Sequence, residues 1–281
     1  MSELIMTDKL TEKFGNYLRL EEKSNSTIEK YIRDIKAFQI YSGTRPLTKE
    51  LVIEYKEKIL SKGYAIRSVN SMIASLNSFF AFIGFGHLKI KTIKEQRRIF
   101  CPEEKELTKE EYTRLLFAAE SKGNKRLNLI LQTICGTGIR VSELQFITVE
   151  AVKKGEAFVF CKSKRRSVFI VKALQKKLLR YAAEQKIKSG CIFITRTGKP
   201  VNRTNIWRDM KNLCKAADVN PEKVFPHNLR HLFARIFYGI EKDIAKLADI
   251  LGHSSIDTTR IYIISTGTEH RQRMENMRLV I

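Results

Sequence analysis

Residues 157–170 read AFVFCKSKRRSVFI, two β-rich runs around a basic tip, which is the pattern of a β-hairpin. On either side of it the apolar residues keep a helical spacing. That combination restricts the chain to a mainly α fold carrying a small antiparallel β-sheet. The first hundred residues predict four helices. One covers about 7–22. The second opens at Ser26-Thr27-Ile28-Glu29, where Ser26 and Glu29 can form a capping box, and lines up Ile28, Tyr31, Ile32, Ile35 and Phe38 before stopping near Gly43. A third runs from Thr48 to Gly63. The fourth spaces Ile73, Leu76, Phe80 and Ile83 by three, four and three, and ends at Gly84-Phe85-Gly86. Short helices with small loops make a compact bundle.

Residues 1–88 therefore read as an N-terminal helical domain. Over 89–106 the periodicity lapses, and a basic run followed by Pro102 and acidic residues reads as a linker. A second domain, 107–281, opens with the capping box Thr108-Lys109-Glu110-Glu111. An apolar helix follows from Leu127 to Cys135, then the turn Gly136-Thr137-Gly138, then a helix with Val141, Leu144 and Phe146. After the hairpin, helices are expected at 171–186, about 202–217, 227–238, 241–251 and 255–263.

Charge bears on partners. The 281 residues hold 52 Lys and Arg against 30 Asp and Glu, a formal net charge of +22. Such an excess attracts polyanions, and nucleic acid fits best because neutralised phosphates release condensed counterions. A membrane surface fits poorly: no segment pairs a strong apolar face with a purely basic one, and no apolar run approaches the roughly 20 residues needed to span a bilayer. The five cysteines (Cys101, Cys135, Cys161, Cys191, Cys214) are widely spaced without a Cys-x-x-Cys pair, as in reduced thiols of the cytoplasm. The charged start MSELIMTDKLTEKF does not read as a signal peptide. A cytoplasmic, DNA-directed protein is the expectation.

The chemistry-bearing residues gather late in the chain. Pro226-His227-Asn228-Leu229-Arg230-His231 starts a helix, so His227 and Arg230 share a face near an N-terminus suited to an anion. His227 and His231, four apart, could suggest a metal pair. Asn228 where such enzymes place Glu, and the fixed cation of Arg230, argue against it. Further on, Gly252 can end one helix and Ser255 cap the next, placing His253 in a tight turn and Tyr262 about two helical turns beyond.

Together, His227-x-x-Arg230-His231, Leu251-Gly252-His253-Ser254 and Thr259-x-x-Tyr262, preceded by Gly136-Thr137-Gly138-Ile139-Arg140-Val141-Ser142-Glu143-Leu144, closely resemble the signature of the tyrosine recombinases, the phage-integrase and Xer family. The resemblance runs over essentially the whole chain. It implies a SAM-like, core-binding N-terminal bundle and a C-terminal catalytic domain. By it, Arg140 and Arg230 clamp the scissile phosphate, and Tyr262 attacks phosphorus to give a 3′-phosphotyrosine. His227 takes the phenol proton, His253 bonds a phosphate oxygen, and Glu143 buttresses the arginines. The family's fifth group is a hairpin lysine that protonates the departing 5′-oxygen. The sequence Cys161-Lys162-Ser163-Lys164-Arg165-Arg166 departs from the commoner Gly-Lys-Gly-x-Lys and is a residue shorter. Counting from the first strand selects Lys162, the favoured candidate; counting back from the second leaves Lys164 open. Lys164, Arg165 and Arg166 read as a phosphate-gripping, DNA-binding tip.

No ATP loop and no obvious two-metal carboxylate cluster is written in the sequence, so neither cofactor nor metal is expected. The implied partner is double-stranded DNA carrying specific recombination sites, gripped by a tetramer. The tail IISTGTEHRQRMENMRLVI, with Met274, Met277, Leu279 and Val280, either packs on its own domain or docks on a neighbouring subunit, closing a ring. The rival readings are a pure DNA-binding protein, which has no need of Tyr262, and a type IB topoisomerase, whose pattern lacks the surroundings of His253.

Overall fold

The structure, a computed structural model, describes residues 4–94, 105–161, 164–262, 271 and 274–277, without the side chains of Cys161 and Lys164. Lys162, and most of the tail after Tyr262, lie outside the described residues. The chain divides into two compact units, Met1–Arg97 and Arg98–Ile281.

The first unit holds α1 (Asp8–Leu20), α2 (Asn25–Ser42), α3 (Lys49–Ser61) and α4 (Ile66–Phe82). Thr7, Ser24 and Thr48 cap the first three, each hydroxyl accepting from a backbone N–H of the opening turn. The cap of α2 is thus Ser24 rather than Ser26. Ser24 has the extended backbone a cap requires, and Ser26 is already helical. Phe14, Ile35, Phe38, Val52, Ile73, Phe79 and Phe80 are sealed from solvent in one core. Phe14 meets Phe79 edge to face at 5.3 Å, a favoured aromatic geometry.

This bundle reaches past residue 88 into the expected linker. Asn77 donates to the carbonyl of Ile90 at 2.9 Å and accepts from its N–H at 3.0 Å. Asn70 repeats the pair at Ile93, at 2.9 and 2.8 Å. A carboxamide presents the same donor and acceptor as a peptide unit, so each Asn binds the passing backbone as a strand partner would. Periodicity in the sequence carries no trace of such a contact.

In the second unit, α5 (Lys109–Ser121) begins at the capping box read from the sequence, with Glu111 N–H to Thr108 Oγ1 at 3.1 Å and Thr108 N–H to Glu111 Oε2 at 2.8 Å. Next come α6 (Lys125–Thr137), a 3-10 helix over Val141–Phe146, α7 (Val149–Lys154), and the antiparallel strands β1 (Glu156–Cys161) and β2 (Lys164–Phe169). Then follow α8 (Lys172–Glu184), α9 (Arg203–Lys211), α10 (Cys214–Ala217), α11 (Pro226–Glu241), α12 (Ile244–Leu251) and α13 (Ile256–Arg260). Leu127, Ile130, Leu131 and Ile134 make α6 the buried centre, packed by α5, α8 and α11. Among the described residues no helix is long and apolar enough to cross a membrane.

The hairpin departs from expectation in where its basic residues lie. Cys161 pairs with Lys164, so Lys164, Arg165 and Arg166 belong to β2 and not to the tip. Strand alternation then sends neighbouring side chains to opposite faces. Arg165 shares the outer face with exposed Phe169, its guanidinium 4.6 Å from the ring of Phe158 and 5.4 Å from that of Phe160. Arg166 shares the inner face with buried Val168.

Candidate active site

Three helix ends and the hairpin meet around α12. Its last residues and cap, Ile250, Leu251 and Gly252, offer carbonyls without helical partners at the negative end of the helix dipole. Each accepts from a different arginine. Arg166 Nη1 reaches Ile250 O at 2.9 Å, Arg230 Nη2 reaches Leu251 O at 2.7 Å, and Arg140 Nη2 reaches Gly252 O at 3.3 Å. Gly252 takes a left-handed φ of 64°, which turns the chain sharply into His253.

Arg140 precedes the 3-10 helix, and Glu143 one turn on holds it twice, through its backbone N–H at 2.9 Å and Nη1 at 3.1 Å. Glu143 is only 1% exposed and also takes Arg166 Nη2 at 2.6 Å, so one buried carboxylate serves two guanidinium groups. Arg166 therefore points into the site rather than standing at the hairpin tip. Its strand parity and the carboxylate of Glu143 pull it inward.

Arg230, on the first turns of α11, is 1% exposed. It donates to Gly138 O and Leu251 O, and Nη2 lies 3.0 Å from His253 Nε2. Among the described residues no carboxylate pairs with it. Burial, then the neighbouring Arg140, push its pKa down to about 10. A buried cation without a counter-ion is costly unless an anion arrives.

The proton states of the histidines follow from their partners. A guanidinium only donates, so His253 Nε2 beside Arg230 is the bare nitrogen, and Nδ1 donates to Thr259 Oγ1 at 2.9 Å. Burial, then Arg230 and Arg140, push the His253 pKa down to about 4. His227 is lowered by the same causes in the same order. Its Nε2 lies 3.2 Å from the hydroxyl of Tyr262. A neutral His227 accepts that proton; a charged one cannot.

Tyr262 follows α13 and is 5% exposed, packed with Ala234, Leu247 and Leu251. His231 stacks on its ring, with centroids 4.2 Å apart and planes 28° from parallel. Burial, then His227, hold the His231 pKa at about 4, so the ring stacks uncharged. The sequence flags His231 as half of a disfavoured metal pair and, like Thr259, as part of a motif, without giving either a role. Among the described residues no three His, Cys, Asp or Glu side chains could share a metal ion. Arg140, Glu143, His227, Arg230, His253 and Tyr262 thus meet in one place, while the hairpin tip carrying Lys162 is outside the described residues.

Comparison with known proteins places these motifs. Residues 105–269 match the model of the phage integrase family, and residues 11–83 that of the phage integrase N-terminal SAM-like domain. The chain is 30% identical to tyrosine recombinase XerA of Pyrococcus horikoshii, over 99% of this chain and 96% of that one. It is similar to the crystal structure of XerA recombinase, at 25% identity with a TM-score of 0.54, covering 98% of this chain and all of that one. A lambda integrase tetramer bound to a Holliday junction shares the fold at 20% identity, with a TM-score of 0.72 over 90% of this chain and 76% of that one.

Proposed function

Since the chain belongs to the phage integrase family of tyrosine recombinases, whose activity is site-specific DNA recombination, we propose that it cuts and rejoins strands through a covalent bond between Tyr262 and a 3′-phosphate. The observation that carries this reading is the pairing of the Tyr262 hydroxyl with neutral His227, beside a buried Arg230 that has no carboxylate partner among the described residues.

A phenol with an ordinary pKa near 10 is a weak nucleophile at neutral pH and needs a proton acceptor. His227 supplies one. As Tyr262 Oη bonds to phosphorus, its proton passes to His227 Nε2, and the bond to the 5′-oxygen breaks. That oxygen takes a proton from Lys162, or from Lys164 if the shorter hairpin shifts the role by two. Arg140 and Arg230 hold the non-bridging oxygens, their forks fixed in advance by carbonyls and by Glu143. His253 donates to the phosphate only after gaining a proton at Nε2, which the anion's charge favours by offsetting the two arginines. A 5′-hydroxyl of another strand then reverses the steps. One phosphoester replaces another at each stage, so the chemistry needs neither ATP nor metal.

Exchange between two duplexes needs four active sites. The lambda integrase captured as a tetramer on a Holliday junction supports that assembly for this chain, with double-stranded DNA carrying a specific site as partner. The chain further divides into a DNA-gripping bundle, expected at 1–88 and extended by the binding of Ile90 and Ile93, a linker over the rest of 89–106, and a catalytic domain at 107–281. The test is a nicked duplex carrying a candidate site, incubated in EDTA and run on a denaturing gel. A protein–DNA adduct is expected, and Tyr262→Phe should form none. Tight binding to a demonstrated site without any adduct would refute covalent catalysis and leave a DNA-binding protein.

A further inference from the structure

We propose that Arg166 is a positioning residue for Arg140, holding both of the anchors that aim its guanidinium at the scissile phosphate. The inference rests on the reading of Arg140 as a phosphate clamp. Arg140 is fixed at one side by Glu143 and at the other by the carbonyl of Gly252. Arg166 grips the same carboxylate and the same helix end. Its Nη2 bonds Glu143 Oε2 at 2.6 Å, and its Nη1 bonds Ile250 O at 2.9 Å, two residues before Gly252.

The fit at Gly252 is close. A Cβ there would lie 2.3 Å from Arg166 Cδ, so the turn and the arginine stem occupy one shared space. The anchoring is also built from well-buried parts: Glu143 is 1% exposed and the Arg166 side chain 12%. Arg166 sits on β2, outside every motif that carries the catalytic arginines, and it bonds Glu143 and Ile250, so the strand reaches the phosphate site through Arg140. A misplaced clamp group costs on the order of 10²-fold in rate.

A methylphosphonate at the scissile position tests this, because its neutral methyl removes the charge that Arg140 neutralises. Arg166→Ala should cleave the ordinary nicked duplex on the order of 10²-fold more slowly than the parent protein. On the methylphosphonate duplex it should come within a few-fold of the parent, and Arg140→Ala should recover in the same way. A merely structural loss would slow both duplexes equally. Recovery of Arg140→Ala without Arg166→Ala overturns the proposal and leaves the clamp intact. Failure of Arg140→Ala to recover overturns the clamp reading, and the proposal with it. Recovery of Arg166→Ala only when sulfur replaces the 5′-bridging oxygen would mean that it serves the leaving-group acid, which also overturns the proposal. Arg166→Lys keeps a charge for Glu143 but cannot span both anchors. It should show the same selective recovery, and decides the matter if Arg166→Ala does not fold.

Discussion

Glu143 concentrates more of the site's electrostatics than any other side chain described. It is buried and faces Arg140 and Arg166 at 3.1 and 2.6 Å, so removing it leaves two cations without their anion. Glu143→Ala should destabilise the catalytic unit by about 3–5 kcal/mol in urea unfolding. A loss below 1 kcal/mol would mean that solvent already compensates the pair. Protonation gives a second residue-scale expectation. His231 and His253 are neutral when folded, with pKa values held at about 4 against an unfolded value near 6.5. The unfolded chain therefore binds more protons between those limits, and stability should fall as pH drops from about 6.5 toward 4. His231→Phe keeps the stack on Tyr262 and removes one titrating group, so its urea midpoint should fall less over that window. An equal fall in both proteins would show that His231 does not contribute. That Arg140, Glu143, His227, Arg230, His253 and Tyr262 come together was legible from the motifs that carry them. The inward course of Arg166 was not, since it depends on strand parity and on a carboxylate 23 residues away.

Elements succeeded in the sequence where the cap was unambiguous. The box at Thr108 and Glu111 forms as read, and Thr108→Ala should cost about 1 kcal/mol of unfolding free energy while leaving adduct formation at moderate temperature unchanged. The sequence pattern points to Ser26 at the start of α2, whereas the cap is Ser24, whose extended backbone that pattern does not show. The turn after α12 is less forgiving. Gly252→Ala meets a left-handed backbone and the Arg166 stem, so it should destabilise by ~1–3 kcal/mol and slow cleavage together. Full activity in that variant would show that the stem moves aside freely. The 3-10 form of Val141–Phe146 has a local reading as well. Glu143 reaches back to the backbone of Arg140 there at 2.9 Å, much as Glu111 reaches Thr108 at 2.8 Å in α5.

Across the whole molecule, the net charge of +22 predicts that affinity for a DNA site falls steeply and linearly with the logarithm of salt concentration. A flat dependence between 50 and 200 mM salt, measured by fluorescence anisotropy, would contradict a grip built on phosphate contacts. The two-unit plan was readable from periodicity and its loss, whereas the binding of residues 87–93 to the first unit was not, because it rests on the side chains of Asn70 and Asn77 meeting backbone. The burial of Tyr262 has a consequence for life among bulk DNA. A protein this basic spends much of its time sliding over sequences that are not its target. With the phenol 5% exposed under His231, the proposed covalent mechanism keeps its blade sheathed until a target rearranges the site.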